Sequence, residues 1–231
     1  MMAISDSLQV TKTRIAAACV AAGRSPDAVA LLVVSKTFPA AAVREAFRAG
    51  ARAFGENYVQ EGLAKIGELI ALRGQIEWHL IGPLQSNKTR PVAEQFDWVH
   101  SVDRLKIAER LSEQRPADLP PLNICLQINI SAEASKSGLL PGDVAALARQ
   151  VAALPRLKLR GLMAVPEPGP GALAQHQAMA ALFNALKAEG LALDTLSLGM
   201  SADLEDAIRA GSTMVRVGSA IFGARPPVNG A

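Results

Sequence analysis

The sequence is short of the residues that most readily announce a function. Its two cysteines, Cys19 and Cys125, form no CxxC pair and are too few for a disulfide framework. Its three histidines, His79, His100 and His176, stand far apart and lack metal-ligand spacing, so no metal site is expected. Aromatic residues make up 4%, which leaves little to stack on nucleic-acid bases. Excess charge is scarce too: 24 Lys and Arg stand against 21 Asp and Glu, a net +3 with no basic block, so nucleic acid is not an expected partner. No apolar run approaches the ~18–20 residues that cross a bilayer, and no membrane partner is expected. Lys12 and Arg14 precede the Ala-rich stretch Ile15 to Ala22, but that stretch is short and weakly apolar for a signal peptide. Together these absences point to a reducing, cytoplasmic setting.

What is present is a chain built to fold. Half of its 231 residues are apolar and 19% are charged, which excludes intrinsic disorder. Leu8, Ile15, Cys19 and Ala22 fall on one face at helical spacing, predicting an amphipathic helix over about 5–22. Strand-length apolar runs follow at Val29–Ser35, Arg52–Gly55, Ile76–Gly82, Trp98–Val102, Leu122–Ile130, Leu157–Val165, Thr195–Leu198 and Met214–Val217. Stretches of helical pattern lie between them, at Ala40–Ala49, Val59–Leu72, Arg104–Gln114, Asp143–Ala153, Gly171–Glu189 and Ala202–Ala210. Asn87–Gln95 is the weakest helix, because Pro91 sits within it. Eight alternating strands and helices predict a single α/β domain over 1–231, a (βα)8 TIM-type barrel over about 28–225 with an extra N-terminal helix. No Gly-rich fingerprint follows the first strand, which argues against a dinucleotide fold. The Pro/Gly-rich segment Pro166–Gly171 reads as a flexible βα loop, not a domain boundary.

Barrels keep their chemistry at the C-terminal ends of the strands. Lys36 closes the run "LLVVSKTFP"; partial burial there lowers an amine toward the range useful for imine formation, although a lysine can equally snorkel to water. "LSLGMSADLEDAIRAGS" places Gly199 at a tight turn and Ser201 at the N-cap of a helix starting near Ala202. "VRVGSAIFG" adds the Gly218-Ser219 pair, and the loops after strands seven and eight are where barrels commonly hold phosphate. Arg216, mid-strand, must face either a helix carboxylate or a ligand in the interior. His79 reads as a satisfied core residue, and Asn57 as a turn residue or a ligand-orienting amide.

With these strings in view, the chain resembles the pyridoxal phosphate homeostasis protein family, relatives of the alanine racemase barrel domain. The motifs that carry the resemblance are "VSK" at Lys36, "GENYVQE" at Gly55–Glu61, "HLIGPLQSNK" at His79–Lys88, "SKSG" at Ser135–Gly138, "RGLM" at Arg160–Met163, "LSLGMS" at Leu196–Ser201 and "GSTMVRVGSAIFG" at Gly211–Gly223. Leu198 stands where a Met is common, Ser219 where a Thr is common, and Pro226-Pro227 replaces the more usual tail. The resemblance implies an internal aldimine between Lys36 and pyridoxal 5'-phosphate. Ser201, Gly218 and Ser219 would hold the phosphate, Asn57 and Met163 would line the cofactor, and Arg216 would face the pyridine nitrogen. It further implies a monomer that carries the cofactor, meets pyridoxal-phosphate-dependent apo-enzymes transiently and performs no turnover, so no catalytic residue is assigned. A racemase would need a second acid/base; the related racemases take a tyrosine from an additional C-terminal domain, whereas this sequence has the single Tyr58 and ends soon after its eighth unit. A third possibility is a cofactor-free isomerase or aldolase using Lys36 on a phosphorylated sugar.

Overall fold

The computed structural model of the chain describes residues 2–133, 136–166 and 169–224. Ser135 of the "SKSG" motif, Glu167 and Pro168 of the Pro/Gly-rich loop, and the Pro226-Pro227 tail lie outside the described residues.

The chain opens with helix α1 (Ile4–Ala21) and then alternates strand and helix. β1 (Ala30–Val34) and α2 (Ala40–Arg48) are followed by β2 (Ala53–Glu56) and α3 (Val59–Glu68), then β3 (Glu77–Leu80) and α4 (Thr89–Gln95). β4 (Trp98–Val102), α5 (Leu105–Gln114), β5 (Leu122–Gln127) and α6 (Val144–Ala152) continue the pattern. It closes with β6 (Leu157–Met163), α7 (Ala172–Ala188), β7 (Thr195–Ser197), α8 (Leu204–Ala210), β8 (Met214–Val217) and α9 (Ser219–Phe222). The strands pair in parallel and in sequence order, and β8 returns to β1 with Leu32 opposite Arg216, so the barrel is closed. This is the TIM-type barrel the sequence pattern predicts, with the extra helix in front.

Most of the buried side chains lie between the strands and the surrounding helices, in one continuous cluster that includes Val33, Phe54, Trp78, Leu80, Leu196, Val215 and Val217. Trp98, Cys125 and Met163 form a second, separate cluster. Successive side chains on a strand point to opposite faces, so Trp98 and His100, Thr195 and Ser197, and Met214 and Arg216 share the barrel interior. Burial there pushes the Cys125 thiol up to about 12, which leaves it protonated and unreactive.

Three local departures from the expected pattern have physical causes. Pro91 lies in the first turn of α4, where its missing N–H removes no helical hydrogen bond, so the helix forms in spite of it. β5 and β6 end at Gln127 and Met163, short of the expected Ile130 and Val165. Ile128 and Ala164 remain buried beyond the strand ends, so apolar sequence outlasts strand pairing. On α1 the buried face is Leu8, Thr11, Ile15 and Cys19; Thr11 tolerates burial because its hydroxyl donates to the Ser7 carbonyl at 2.8 Å.

Candidate functional site

The C-terminal mouth of the barrel encloses a cavity of about 400 Å³. Lys36, Asn57, Ser201, Arg216, Gly218 and Ser219 all line it, and Val34, Phe38, Ile81 and Val165 supply apolar walls. Met163, also expected here, does not line it. Met163 is buried against Trp98 and Cys125 inside the barrel, and Val165, two residues further along, reaches the cavity in its place.

Lys36 lies two residues beyond β1, half-buried, in a turn held from both sides. Before it, Ser35 donates its N–H to the Gly55 carbonyl at 3.0 Å and its hydroxyl to Glu56 Oε1 at 2.6 Å. After it, Thr37 takes a left-handed φ of 69° and donates its N–H to Glu61 Oε1 at 2.5 Å. A β-branched residue rarely adopts that φ, so the turn depends on this support. Lys65 ties the supports together: its Nζ donates to the Ser35 carbonyl, Glu56 Oε1 and Glu61 Oε1 at 2.7, 2.8 and 2.6 Å. Burial pushes the Glu56 carboxyl above its ordinary value, and Lys65 and Ser35 only partly offset this. Sequence reasoning missed this network, although Glu56 and Glu61 both stand in "GENYVQE" and Lys65 follows Glu61 by one helical turn.

Arg216 resolves its two alternatives in favour of the interior. Its Nη1 donates to the Ser197 carbonyl at 2.6 Å and to Ser197 Oγ at 2.8 Å, and its Nη2 donates to the Ala164 carbonyl at 2.8 Å. No carboxylate is among these partners, and the Nε–H and one Nη2–H are the guanidinium donors left uncommitted to the barrel wall by these three bonds. Burial lowers the guanidinium to about 10, still cationic at neutral pH.

Ser201 and Ser219 come together from two loops, with their hydroxyls 3.3 Å apart. Ser201 is not a helix N-cap: α8 begins at Leu204, and Asp203 occupies the cap position. The expectation failed because the "GMSAD" stretch makes a turn first, with Gly199 at φ 90°, a conformation that suits glycine. Three ties hold that turn. Asp203 Oδ1 accepts the Met200 N–H at 2.7 Å, Asp203 Oδ2 pairs with His176 Nε2 at 2.9 Å, and Arg14 of α1 donates to the Ser201 carbonyl at 2.8 Å. Arg14 also makes a two-point pair with Glu205 at 2.5 and 2.6 Å.

A closed eight-stranded parallel barrel with a lysine and paired hydroxyls at its mouth defines a class. The family described as alanine racemase, N-terminal domain, matches residues 16–226. A pyridoxal phosphate homeostasis protein of Pseudomonas aeruginosa is 62% identical over 97% of this chain and 97% of that relative. This chain belongs to the pyridoxal phosphate homeostasis protein family. Among solved structures, PipY of Synechococcus elongatus with PLP bound is 39% identical with a TM-score of 0.78, covering 90% of this chain and 100% of that one. An alanine racemase of Streptomyces coelicolor shares the fold at 19% identity and a TM-score of 0.73, covering 96% of this chain and 59% of that one.

Proposed function

We propose that this chain binds pyridoxal 5'-phosphate reversibly through Lys36 and serves to hold and hand on the cofactor without turning over amino acids. The observation that carries this reading is the meeting, around one cavity, of an amine, a paired set of hydroxyls and a buried cation whose partners are all uncharged. The donor set fits the cofactor's three polar groups. When bound, pyridoxal phosphate supplies an aldehyde carbon that amines attack reversibly.

Each residue has a distinct task. Lys36 presents its amine from a turn braced by Glu56, Glu61 and Lys65. The Ser201 and Ser219 hydroxyls donate to the phosphate, and Gly218 allows the backbone to approach it. Arg216 keeps its guanidinium protons and gives none to the ring nitrogen, and a guanidinium cannot accept a hydrogen bond from a protonated ring nitrogen. A ring nitrogen kept unprotonated withdraws electrons weakly, which favours carriage over carbanion chemistry. Among the described residues lining the cavity, only Lys36 has a side chain suited to moving a proton at neutral pH. In this reading residues 1–231 act as one cofactor-binding domain, monomeric and cytoplasmic, that meets apo-enzymes transiently.

The test is incubation of the loaded protein with L-alanine in D2O, with an alanine racemase as positive control. The expected result is negligible deuterium at Cα and no D-alanine over hours. Exchange at the racemase's pace would reinstate the enzyme reading.

A further inference from the structure

Beneath the cavity a line of polar side chains crosses the barrel interior. Arg216 Nη1 donates to Ser197 Oγ at 2.8 Å, Ser197 Oγ lies 3.1 Å from His100 Nδ1, and His100 Nε2 lies 2.9 Å from His79 Nδ1. Ser197, His100 and His79 are fully buried, and Arg216 is nearly so. His79 also stacks on the Trp98 ring at 5.1 Å. Its remaining nitrogen, Nε2, has no hydrogen-bond partner among the described residues; Glu77 Oε2 stands 3.7 Å away, too far for a hydrogen bond.

The direction of every bond in this line follows from its ends. A guanidinium can only donate, so Ser197 Oγ accepts from Arg216. The Ser197 proton then has one acceptor among the described residues, His100 Nδ1. His100 therefore carries its proton on Nε2 and donates to His79 Nδ1. His79 in turn carries its proton on Nε2, directed toward the Glu77 carboxylate. The opposite polarity fails twice: the Ser197 proton would lack an acceptor, and a His79 lone pair would face a carboxylate. Both rings are held neutral. Burial lowers His100 well below its ordinary value, and His79 and Arg216 lower it further. Burial also lowers His79; Glu77 and Asp97 oppose that shift and Arg160 adds to it.

We infer that His100, backed by His79, is a positioning residue for Arg216, and that this one-way chain fixes the guanidinium plane and with it the donors that Arg216 offers to the cavity. The inference rests on the proposed placement of Arg216 at the ring nitrogen. His100 fixes where the Ser197 proton points, and so which Ser197 lone pair Arg216 meets. Without that acceptor the hydroxyl rotates, and one of the guanidinium's three wall contacts loses its fixed geometry.

The test compares pyridoxal 5'-phosphate with its 1-deaza analogue, in which CH replaces the ring nitrogen. Wild type is expected to bind the former about ten-fold more tightly, the ratio for one hydrogen bond involving a charged group. His100→Leu is expected to bring that ratio close to one. His100→Asn, whose Oδ1 replaces Nδ1 as the acceptor, is expected to keep it. A purely structural role would weaken both ligands alike, so an unchanged ratio in His100→Leu, or equal losses in the two variants, overturns the inference. Nitrogen-15 NMR of the ligand-free wild type supplies a readout independent of the variants' folding. Both rings should be protonated at Nε2 alone near neutral pH, and a proton on either Nδ1 overturns the chain. Expected tautomers with a wild-type ratio of one would instead refute the placement of Arg216 at the ring nitrogen, and the positioning role with it.

Discussion

At the scale of single residues, the site depends on what is small as much as on what is charged. A Cβ added at Gly218 would stand 2.8 Å from the Val34 carbonyl oxygen, a backbone atom that cannot step aside. Gly218→Ala is therefore expected to cost about 1–3 kcal/mol of stability, the usual cost of overpacking, and to weaken cofactor retention. Urea unfolding and equilibrium dialysis check the two effects. The Ser201 and Ser219 hydroxyls act as a pair, and hydrogen bonds to a charged group contribute about 1.5–3 kcal/mol each. Ser201→Ala with Ser219→Ala should release pyridoxal phosphate measurably faster than wild type in dialysis while leaving the unfolding midpoint nearly unchanged; retention equal to wild type would place the phosphate elsewhere. That Lys36, Ser201, Ser219 and Gly218 gather at the barrel mouth was legible in the sequence, because strand ends and small residues in loops seven and eight are local signals. Asn57 and Arg216 were legible with their alternatives open. Met163 was misplaced, because which of two neighbouring positions meets a cavity depends on where the strand stops. The line through Ser197, His100 and His79 could not be read, since its members lie on three different strands and meet only when the barrel closes.

Between elements, the decisive feature is that α1, outside the barrel, grips the Ser201 turn. Arg14 bonds the Ser201 carbonyl and pairs with Glu205 at the start of α8. Both side chains are more than one-third exposed, so the pair contributes little to stability, about 0.5–1 kcal/mol. Arg14→Ala should accordingly leave the fold intact but speed cofactor release, while Arg209→Ala, which removes an exposed pair on α8, should leave both the fold and the release rate unchanged. Stopped-flow transfer to an apo-enzyme separates the two variants. The same turn carries a pH signature. Burial pushes the Asp203 carboxyl up, but the His176 contact and the Met200 N–H outweigh this and hold it below its ordinary 3.8. A carboxyl depressed in the fold stabilises fully above that ordinary value and loses its contribution as pH falls through the depressed one. The stability gap between wild type and Asp203→Asn, measured in urea from about pH 6 to pH 3, should be constant at first and shrink only below the ordinary carboxyl pKa. Shrinkage at pH 5–6 would contradict the assignment. Helix starts were the least legible feature at this scale. Pro91 argued against a helix that tolerates it in its first turn, and Ser201 resembled a cap although the helix starts three residues later, with Asp203 at the cap position.

For the molecule as a whole, the alternation of short apolar runs with helical stretches was enough to predict an eight-fold barrel. Parallel strands buried on both faces are apolar nearly throughout, and that signal survives small errors at their ends. The interior was less legible: its period-two alternation is carried by strands of three to seven residues. Our proposal turns on this barrel presenting one lysine, Lys36, to pyridoxal phosphate. Borohydride reduction of the loaded protein followed by peptide mass spectrometry tests it directly. The expected result is a single reduced adduct, on the peptide containing Lys36. An adduct on Lys65 or Lys136 instead, or a loaded protein that yields none, would contradict it.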